Sequence, residues 1–282
     1  MDCGDACPVL GGKRYEDRPI ADPTRSPPAA VAAHPRELMS HPVHDRVAIF
    51  SDIHANLPAL EAVLAEIDAA GIDAVYCGGD LVGYGPRPNE VCALIEQRGI
   101  PTIHGNYDHA IARDDHDCGC AYITQHDRDL GQESVEWTLV NTEKASKDFM
   151  RELPFDLRFA VGDHQVHLVH GSPRKVNEYL FEDKPLSLYE RLAEAEEASA
   201  MVFGHTHKPW VDVRGGVMFI NSGSVGKPKD GDPRACWIEL RPAPEYVEVT
   251  RHRVAYDAEA VAEEVRAAGL PGEFADKLVL AK

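Results

Sequence analysis

The chain has 282 residues and 44% hydrophobic residues, which suits one large domain with a substantial core. Its 29 lysines and arginines against 47 aspartates and glutamates give a formal net charge of −18. This acidic balance argues against stable binding of a nucleic-acid backbone, whereas a small anionic substrate remains compatible if bound cations reverse the local field.

The seven cysteines are odd in number and irregular in spacing, which disfavours a secreted disulfide framework. The N-terminal stretch has no apolar run long enough for a signal peptide, and no stretch reaches the apolar length of a membrane span. The sequence therefore predicts a cytoplasmic protein without a membrane partner. The sequence does not determine the assembly state, and a homo-oligomer stays open.

Residues 1–44 hold many prolines and short alanine runs and show little periodicity, so we expect a flexible N-terminal extension. Cys3 and Cys7 lie in this extension with His34, His41 and His44. Their spacing matches no zinc pattern, and a disordered tail is the preferred interpretation. Residues 45–282 are predicted to form the folded domain.

From residue 46 onward, apolar runs that end at glycine-rich turns alternate with stretches of helical periodicity. The predicted elements, in chain order, are strand 46–50, helix 57–71, strand 73–77, helix 88–99, strand 100–105, helices near 130–141 and 143–152, strands 157–162 and 164–171, helix 186–198, strands 199–205, 210–216, 217–223, 234–240 and 246–254, and helix 255–269. This order predicts an α/β fold in which two sheets pack as a sandwich flanked by helices.

Five of the predicted strands end in short glycine-rich or polar turns that carry aspartate, histidine or asparagine. Because ligands of open α/β sheets bind outside the carboxyl ends of strands, these side chains can converge. Seven oxygen and nitrogen ligands exceed one tetrahedral zinc site and suit two adjacent cations that share a carboxylate, with Mn, Fe, Co or Zn as the candidates. The candidate ligands are Asp52, His54, Asp80, Asn106, His170, His205 and His207.

The ordered motifs D-x-H, G-D, G-N, H and G-H-x-H resemble those of the calcineurin-like metallophosphoesterase family, and GGDLVGYGP, VHGSP and NSGSVG are similar to its bacterial phosphodiesterase branch. The resemblance implies an αββα sandwich of two mixed sheets with a cap insertion near 109–150. It also implies a role for each ligand: one metal on Asp52, His54 and His207, a second on Asn106, His170 and His205, and Asp80 as the bridge.

The family resemblance further implies in-line attack of a metal-bound hydroxide on a phosphate ester. Asn56 and Arg174 can contact the phosphate, but a surface or turn role is equally open for both. Tyr84, within GYGP, either borders the pocket or packs in its turn.

The stretch GNYDH differs from many members of that family, which have histidine as general acid at the position of Tyr107. Tyrosine, with an ordinary pKa of ~10, is a poorer acid near neutral pH than histidine at ~6.5. We therefore expect a preference for good leaving groups. Two alternatives stay open: Tyr107 only packs or stacks on a substrate base, or His109, oriented by Asp108, acts as the acid.

The sequence thus predicts a metal-dependent phosphoesterase, with a phosphodiester of a small or nucleotide substrate as the preferred target. The alternatives are a dinucleoside polyphosphate hydrolase, a phosphoprotein phosphatase and a metal-bound scaffold for protein interactions. Three further histidines, His104, His164 and His167, are expected to be structural. Cys118 and Cys120 can form a metal site with His116 and His126, but buried reduced cysteines are the preferred interpretation.

Overall fold

The computed structural model describes residues 41–72 and 74–282. Residues 1–40 of the predicted extension, with Cys3, Cys7 and His34, lie outside these ranges. Its last two residues belong to the sheet, because Val43–His44 form a short strand that pairs in parallel with Ala160 and Val161. The described residues therefore include a strand on the N-terminal side of the predicted domain boundary.

The strands form two mixed sheets, as predicted. The six-stranded sheet has the order β1-β4-β5-β6-β8-β7, and the four-stranded sheet has the order β10-β9-β2-β3. The strands are β1 (Val43–His44), β2 (Val47–Phe50), β3 (Ala74–Cys77), β4 (Asp156–Val161), β5 (His164–Val169), β6 (Ala200–Phe203), β7 (Trp210–Arg214), β8 (Val217–Asn221), β9 (Ala235–Pro242) and β10 (Val247–Val254).

The alternation of side chains along β2 shows how the sheets form a sandwich. Val47 and Ile49 lie in an apolar cluster with residues of both sheets, such as Phe159. Ala48 and Phe50 point the other way and pack against the helices that cover the four-stranded sheet. Every residue of β2 is buried, which explains its continuous apolar sequence.

Eight helices are present in the described residues: α1 (Leu57–Ala69), α2 (Pro88–Gln97), α3 (Asn106–Ala112), α4 (Gln125–Asn141), α5 (Lys144–Arg151), α6 (Leu186–Glu194), α7 (Ala258–Ala267) and α8 (Gly272–Leu280). The sequence did not predict α3 or α8. Helix α6 covers the outer face of the six-stranded sheet, and α7 packs on α8.

The strand predicted at 100–105 is reduced to a single parallel bridge between Cys77 and Thr102. Pro101 has no N–H to continue a ladder, although its carbonyl accepts a hydrogen bond from the Cys77 N–H. The bridge still directs the chain toward the same sheet edge as β2 and β3. None of the helices in the described residues has the length and apolar content needed to cross a lipid bilayer.

Candidate metal centre

The seven predicted ligands meet at one edge of the sandwich. They follow β2, β3, the bridge at Thr102, β5 and β6, as the rule about strand ends predicts. All seven side chains are buried, with at most 3% of any residue exposed. Buried polar side chains without hydrogen-bond or ionic partners are costly in a protein interior. The seven clustered side chains therefore require a partner that compensates for their lost hydration.

The turns that carry the ligands are strained. Five of the ligands have left-handed backbone conformations, with φ between 49° and 62°, which cost about 1–2 kcal/mol for a residue other than glycine. Left-handed turns therefore replace an extended chain at the two i, i+2 pairs, Asp52–His54 and His205–His207. The five are Asp52, His54, Asp80, His205 and His207.

Backbone contacts between neighbouring turns fix this strained geometry. The Asp52 N–H donates to the Gly79 carbonyl at 2.9 Å, and the His54 N–H donates to the Asp80 carbonyl at 2.9 Å. A Cβ atom on Gly105 would lie 2.1 Å from Asp80 Oδ1, so only glycine allows the third turn to approach. The turns therefore position one another.

The ligand atoms form two groups of three, one of Asp52, His54 and His207 and one of Asp80, His170 and His205. Asp80 lies between them: its Oδ2 is 3.4 Å from His170 Nε2 in its own group and 3.6 Å from His54 Nε2 in the other. This position is the one that a carboxylate shared by two cations requires.

The ring orientations of the histidines expose nitrogen lone pairs to the centre. The Nδ1 atoms of His54, His170 and His207 lie 2.6–3.0 Å from the backbone carbonyls of Val82, Gly78 and Lys227. A carbonyl only accepts, so each Nδ1 carries a proton, and in the neutral ring each Nε2 presents a lone pair.

Two observations show that this donor set fits cations. His54 Nε2 and His207 Nε2 face each other at 3.1 Å although both are acceptors in this tautomer. The buried Nε2 of His205 has no hydrogen-bond partner in the described part of the chain. Imidazole nitrogens and carboxylate oxygens together suit Mn, Fe, Co or Zn.

Asn106 begins α3 and extends the second group. Its Oδ1 lies 3.2 Å from His170 Nε2, while its Nδ2 donates to the Cys118 carbonyl at 3.0 Å. The amide is thereby oriented with its oxygen toward the centre, which is the orientation a metal ligand needs. The predicted ligand role of Asn106 fits this geometry.

The electrostatics of the centre differ from one histidine to the next. Burial lowers the pKa of His54 to about 3, although Asp80 opposes the shift. Burial also acts to lower the pKa of His170, but Asp80 outweighs it and raises that pKa to about 10. Burial keeps the pKa values of His205 and His207 well below their ordinary range, so both imidazoles are neutral donors at neutral pH.

Asp108 orients the turns rather than facing the two ligand groups. Its carboxylate accepts from the backbone N–H groups of Asp80 at 2.7 Å, Leu81 at 2.8 Å and Gly105 at 2.8 Å. Burial, helped by Asp80, raises its pKa to about 7, while the N–H donors act in the opposite direction. One side chain thus ties together two of the turns that carry ligands.

Tyr107 lies in the apolar core, in the same cluster as Val135 and Leu139 of α4. Its hydroxyl is 3.4 Å from Ser134 Oγ, and its ring meets the ring of His54 edge-on with 5.7 Å between centroids. Burial raises its pKa well above the ordinary value, which makes it a still weaker acid than the sequence suggested.

His109, the alternative acid, lies on α3 with its ring 5.0 Å from that of His104. Its Nδ1 is buried and has no hydrogen-bond partner among the described residues. Burial, with Arg113, lowers its pKa. His109 therefore has a ring nitrogen without a hydrogen-bond partner, whereas the Tyr107 hydroxyl contacts Ser134.

Two residues predicted to contact the phosphate have other partners in the structure. Asn56 caps α1 through Oδ1, and its Nδ2 donates to the Gly226 carbonyl and to the Tyr256 hydroxyl. Arg174 forms a bidentate ion pair with Glu178. Because these hydrogen bonds occupy their polar groups, the structure favours a structural role for both.

Tyr84 does border a pocket beside the centre. Its ring meets the His54 ring edge-on at 5.0 Å, and both residues line the same cavity. The sequence did not single out Lys227, which lines the same cavity. Its signal was present, because GKPKDG follows the glycine-rich end of β8 just as the ligand turns follow their strands.

The other histidines have protein partners. His164 Nε2 lies 2.8 Å from the Ala243 carbonyl, and His167 binds two carboxylates, which confirms their structural assignment. His116 pairs with Glu136, and His126 pairs with Glu273. The described residues show no candidate metal group that contains Cys118 or Cys120, whose thiols form no disulfide.

Comparisons with known proteins agree with this geometry. Residues 46–241 match the calcineurin-like phosphoesterase superfamily domain. The protein MJ0912 of Methanocaldococcus jannaschii is 28% identical over 257 residues, which cover 85% of this chain and 100% of that protein. Phosphodiesterase YfcE of Escherichia coli K12 is 26% identical over 193 residues, covering 65% of this chain and 80% of YfcE.

A solved structure is also similar over most of the chain. The metallophosphoesterase from Sphaerobacter thermophilus superimposes with a TM-score of 0.67 and 31% identity. The match covers 85% of this chain and all of that one. The fold is therefore shared with that metallophosphoesterase.

Proposed function

Because the chain belongs to the calcineurin-like phosphoesterase superfamily, we propose that it is a two-metal phosphodiesterase of small or nucleotide substrates. The observation that carries the proposal is the complete ligand set, with Asp80 between the two groups. The similarity to a phosphodiesterase, YfcE, supports the choice of a diester.

When bound, two cations supply a nucleophilic water near neutral pH and offset negative charge on the phosphoryl oxygens. The chain's own residues hold this arrangement. Asp52, His54 and His207 would hold one cation, and His170, His205 and Asn106 the other. Asp80 would bridge them, and Asp108 would keep the Asp80 and Gly105 turns in register.

The leaving group sets the limits of the proposed activity. Tyr107 directs its hydroxyl to Ser134 and has a raised pKa because it is buried, so proton delivery from it is weak. His109 retains a free ring nitrogen and is the better candidate for an acid. We therefore expect faster cleavage of esters whose leaving groups need little protonation.

Three alternatives compete with this proposal. A dinucleoside polyphosphate hydrolase would use the same centre on an anhydride that expels a phosphate. A phosphoprotein phosphatase must expel an alkoxide, which the Tyr107 geometry disfavours. A metal-bound interaction scaffold would need no turnover, although the filled ligand set argues for chemistry.

A substrate panel tests the proposal and its rivals. Chelator-treated protein is supplied with Mn²⁺, Fe²⁺, Co²⁺ or Zn²⁺ and offered bis(p-nitrophenyl) phosphate, p-nitrophenyl phosphate, a cyclic nucleotide and a dinucleoside polyphosphate. We expect metal-dependent hydrolysis with a preference for the activated diester. Metal binding without turnover of any substrate would favour the scaffold.

The cellular context is proposed on sequence grounds. The cysteine pattern supports a cytoplasmic enzyme with free thiols. A homo-oligomer remains compatible with the fold, and light scattering during size-exclusion chromatography would determine the assembly state.

A further inference from the structure

Cys118 and Cys120, here called the thiol pair, lie in the segment that links α3 to α4. Their sulfur atoms are 3.2 Å apart, and they form no disulfide. A disulfide bond holds its sulfurs at ~2.05 Å, so closure requires an approach of roughly 1.2 Å. The two thiols are therefore placed for oxidation to an intramolecular bond.

Gly119 forms the turn that brings the two thiols together. Its φ of 68° lies in the left-handed region, which glycine adopts without strain. The Gly119 carbonyl accepts from Asn177 Nδ2 at 2.8 Å, and an added Cβ would lie 2.3 Å from that same nitrogen. A glycine and a contact from the loop after β5 thus hold the turn in which the sulfurs meet.

The thiol pair differs from the other cysteines of the described chain. Cys77, Cys92 and Cys236 lie in β3, α2 and β9, and each is at most 1% exposed. Cys120 is instead partly exposed and lies in a segment without regular secondary structure. Because susceptibility to oxidation follows exposure, the thiol pair is the part of the cysteine set that a small oxidant can reach.

The thiol pair also holds Asn106, one of the predicted metal ligands. Asn106 Nδ2 donates to the Cys118 carbonyl at 3.0 Å and to Cys120 Sγ at 3.3 Å. With Nδ2 held there, Oδ1 faces His170 Nε2 at 3.2 Å. A disulfide would close a ring over one residue and so constrain the backbone that carries the Cys118 carbonyl. Oxidation therefore changes the contacts that orient this amide.

We infer that Cys118 and Cys120 are a redox modification site, which a peroxide oxidises to a disulfide. The disulfide weakens cation binding at the group of Asn106, His170 and His205, because it alters the acceptors that orient Asn106. The effect on cations rests on the metal centre of the proposed function, whereas the oxidation itself does not.

The reaction balances with hydrogen peroxide as the oxidant. The sulfur of Cys120 attacks one peroxide oxygen, the O–O bond breaks, and a sulfenic acid and one water form. The sulfur of Cys118 then displaces hydroxide from the sulfenic acid, which forms the S–S bond. The hydroxide takes the proton of the Cys118 thiol and leaves as a second water. Two thiols thus lose two electrons and two protons, and the peroxide accepts both.

Mass spectrometry tests the oxidation. The chelator-treated full chain is exposed to hydrogen peroxide, and the remaining thiols are alkylated in denaturant. Tryptic peptide 114–128 contains both cysteines of the pair and no other cysteine. We expect this peptide to be unalkylated and two hydrogen atoms lighter than the reduced form, and dithiothreitol to restore alkylation at both sites. Cys92 should stay reduced and be alkylated.

Titration with Mn²⁺ tests the connection to the metal centre. After removal of peroxide, we expect the oxidised protein to bind the weaker of its two ions about tenfold less tightly than the reduced protein, and dithiothreitol to reverse the loss. A variant with both Cys118→Ala and Cys120→Ser has no thiol in the pair, so its Mn²⁺ affinity should not change with peroxide. Cys120→Ser alone serves as a second variant that cannot form the bond, and Cys92→Ala is the control that keeps the pair.

The possible failures are distinct. Alkylation of both cysteines after peroxide, or overoxidation without a disulfide, would overturn the inference. Unchanged Mn²⁺ affinity in protein with a verified disulfide would do the same, as would a peroxide-dependent loss of affinity in the folded variants without the pair. Absence of hydrolysis of every phosphodiester by the reduced, metal-loaded protein would overturn the proposed function alone, since neither mass nor Mn²⁺ affinity depends on turnover.

Discussion

In the described part of the chain, the buried histidine of one carboxylate cluster and the buried histidines of the metal centre are bound in opposite ways. In the first, here called the His167 cluster, His167 Nδ1 lies 2.6 Å from Glu196 and Nε2 lies 2.7 Å from Asp156. Arg158 donates to Glu196 at 2.9 Å. Both ring nitrogens are bound by carboxylates, so the cluster satisfies itself.

The metal centre leaves its ring nitrogens facing one another. His54, His170 and His207 direct Nδ1 to backbone carbonyls, and their Nε2 atoms converge on Asp52 and Asp80. The difference teaches that the partner of each ring nitrogen, rather than burial or charge, separates a cation site from an ion-pair network. The predictions below test that distinction.

Removal of the shared carboxylate should have the largest effect. In Asp80→Ala, both groups lose an oxygen ligand, so we expect metal-dependent turnover to fall by at least about a hundredfold. Turnover and bound metal per chain are measured together. His167→Gln is the control, because it should lower the free energy of unfolding by about 2 kcal/mol while retaining metal and turnover. Full activity of Asp80→Ala would contradict the two-metal assignment.

Asp108→Asn should show that the turns need their shared acceptor. The amide presents only one acceptor oxygen to three backbone N–H groups, so one donor faces an NH₂ group. We expect a loss of about 2–3 kcal/mol in unfolding free energy and about tenfold weaker metal binding. Chemical denaturation and metal titration measure the two effects. Weaker stability with unaltered metal affinity would mean that Asp108 supports the fold only.

The sequence predicted seven candidate ligands because each follows a buried strand, and strand ends meet at one edge of a sheet. It could not predict the left-handed conformations of five of them, which depend on contacts between turns distant in sequence. For the same reason it missed Lys227, whose carbonyl accepts a hydrogen bond from His207 Nδ1. The partner of Arg174 was not predicted either, although its i, i+4 spacing to Glu178 is visible in the sequence.

Glu196→Gln should remove the contribution of this carboxylate to the free energy of unfolding, and with it the loss of that contribution below about pH 5. Burial acts to raise the pKa of Glu196, but hydrogen bonds from His167, Ala198 and Arg158 lower it to about 2. The ordinary value is ~4.3, so the carboxylate stabilises the fold above that pH and loses its contribution as the pH falls toward 2. With allowance for solvent screening, we expect the contribution at pH 7 to be about 1–2 kcal/mol.

Denaturation of the unaltered protein and of Glu196→Gln from pH 8 to pH 3 measures this dependence. The difference in unfolding free energy should be constant down to about pH 5 and then shrink. A constant difference down to pH 3 would show that the pKa of Glu196 is not lowered. Metal affinity at pH 7 should be equal in both proteins, since the cluster and the centre are separate.

Tyr107→Phe should have the smallest effect, because the hydroxyl makes a 3.4 Å contact with Ser134 and the ring supplies most of the packing. We expect less than about 1 kcal/mol of destabilisation. The dependence of turnover on leaving-group pKa, measured with a series of aryl and alkyl diesters, should match that of the unaltered protein. A steeper dependence would identify the hydroxyl as a proton donor.

His109→Ala tests the alternative acid in the same assay. Selective slowing of poor leaving groups would place the acid on α3, and equal slowing of all substrates would leave His109 a positioning role.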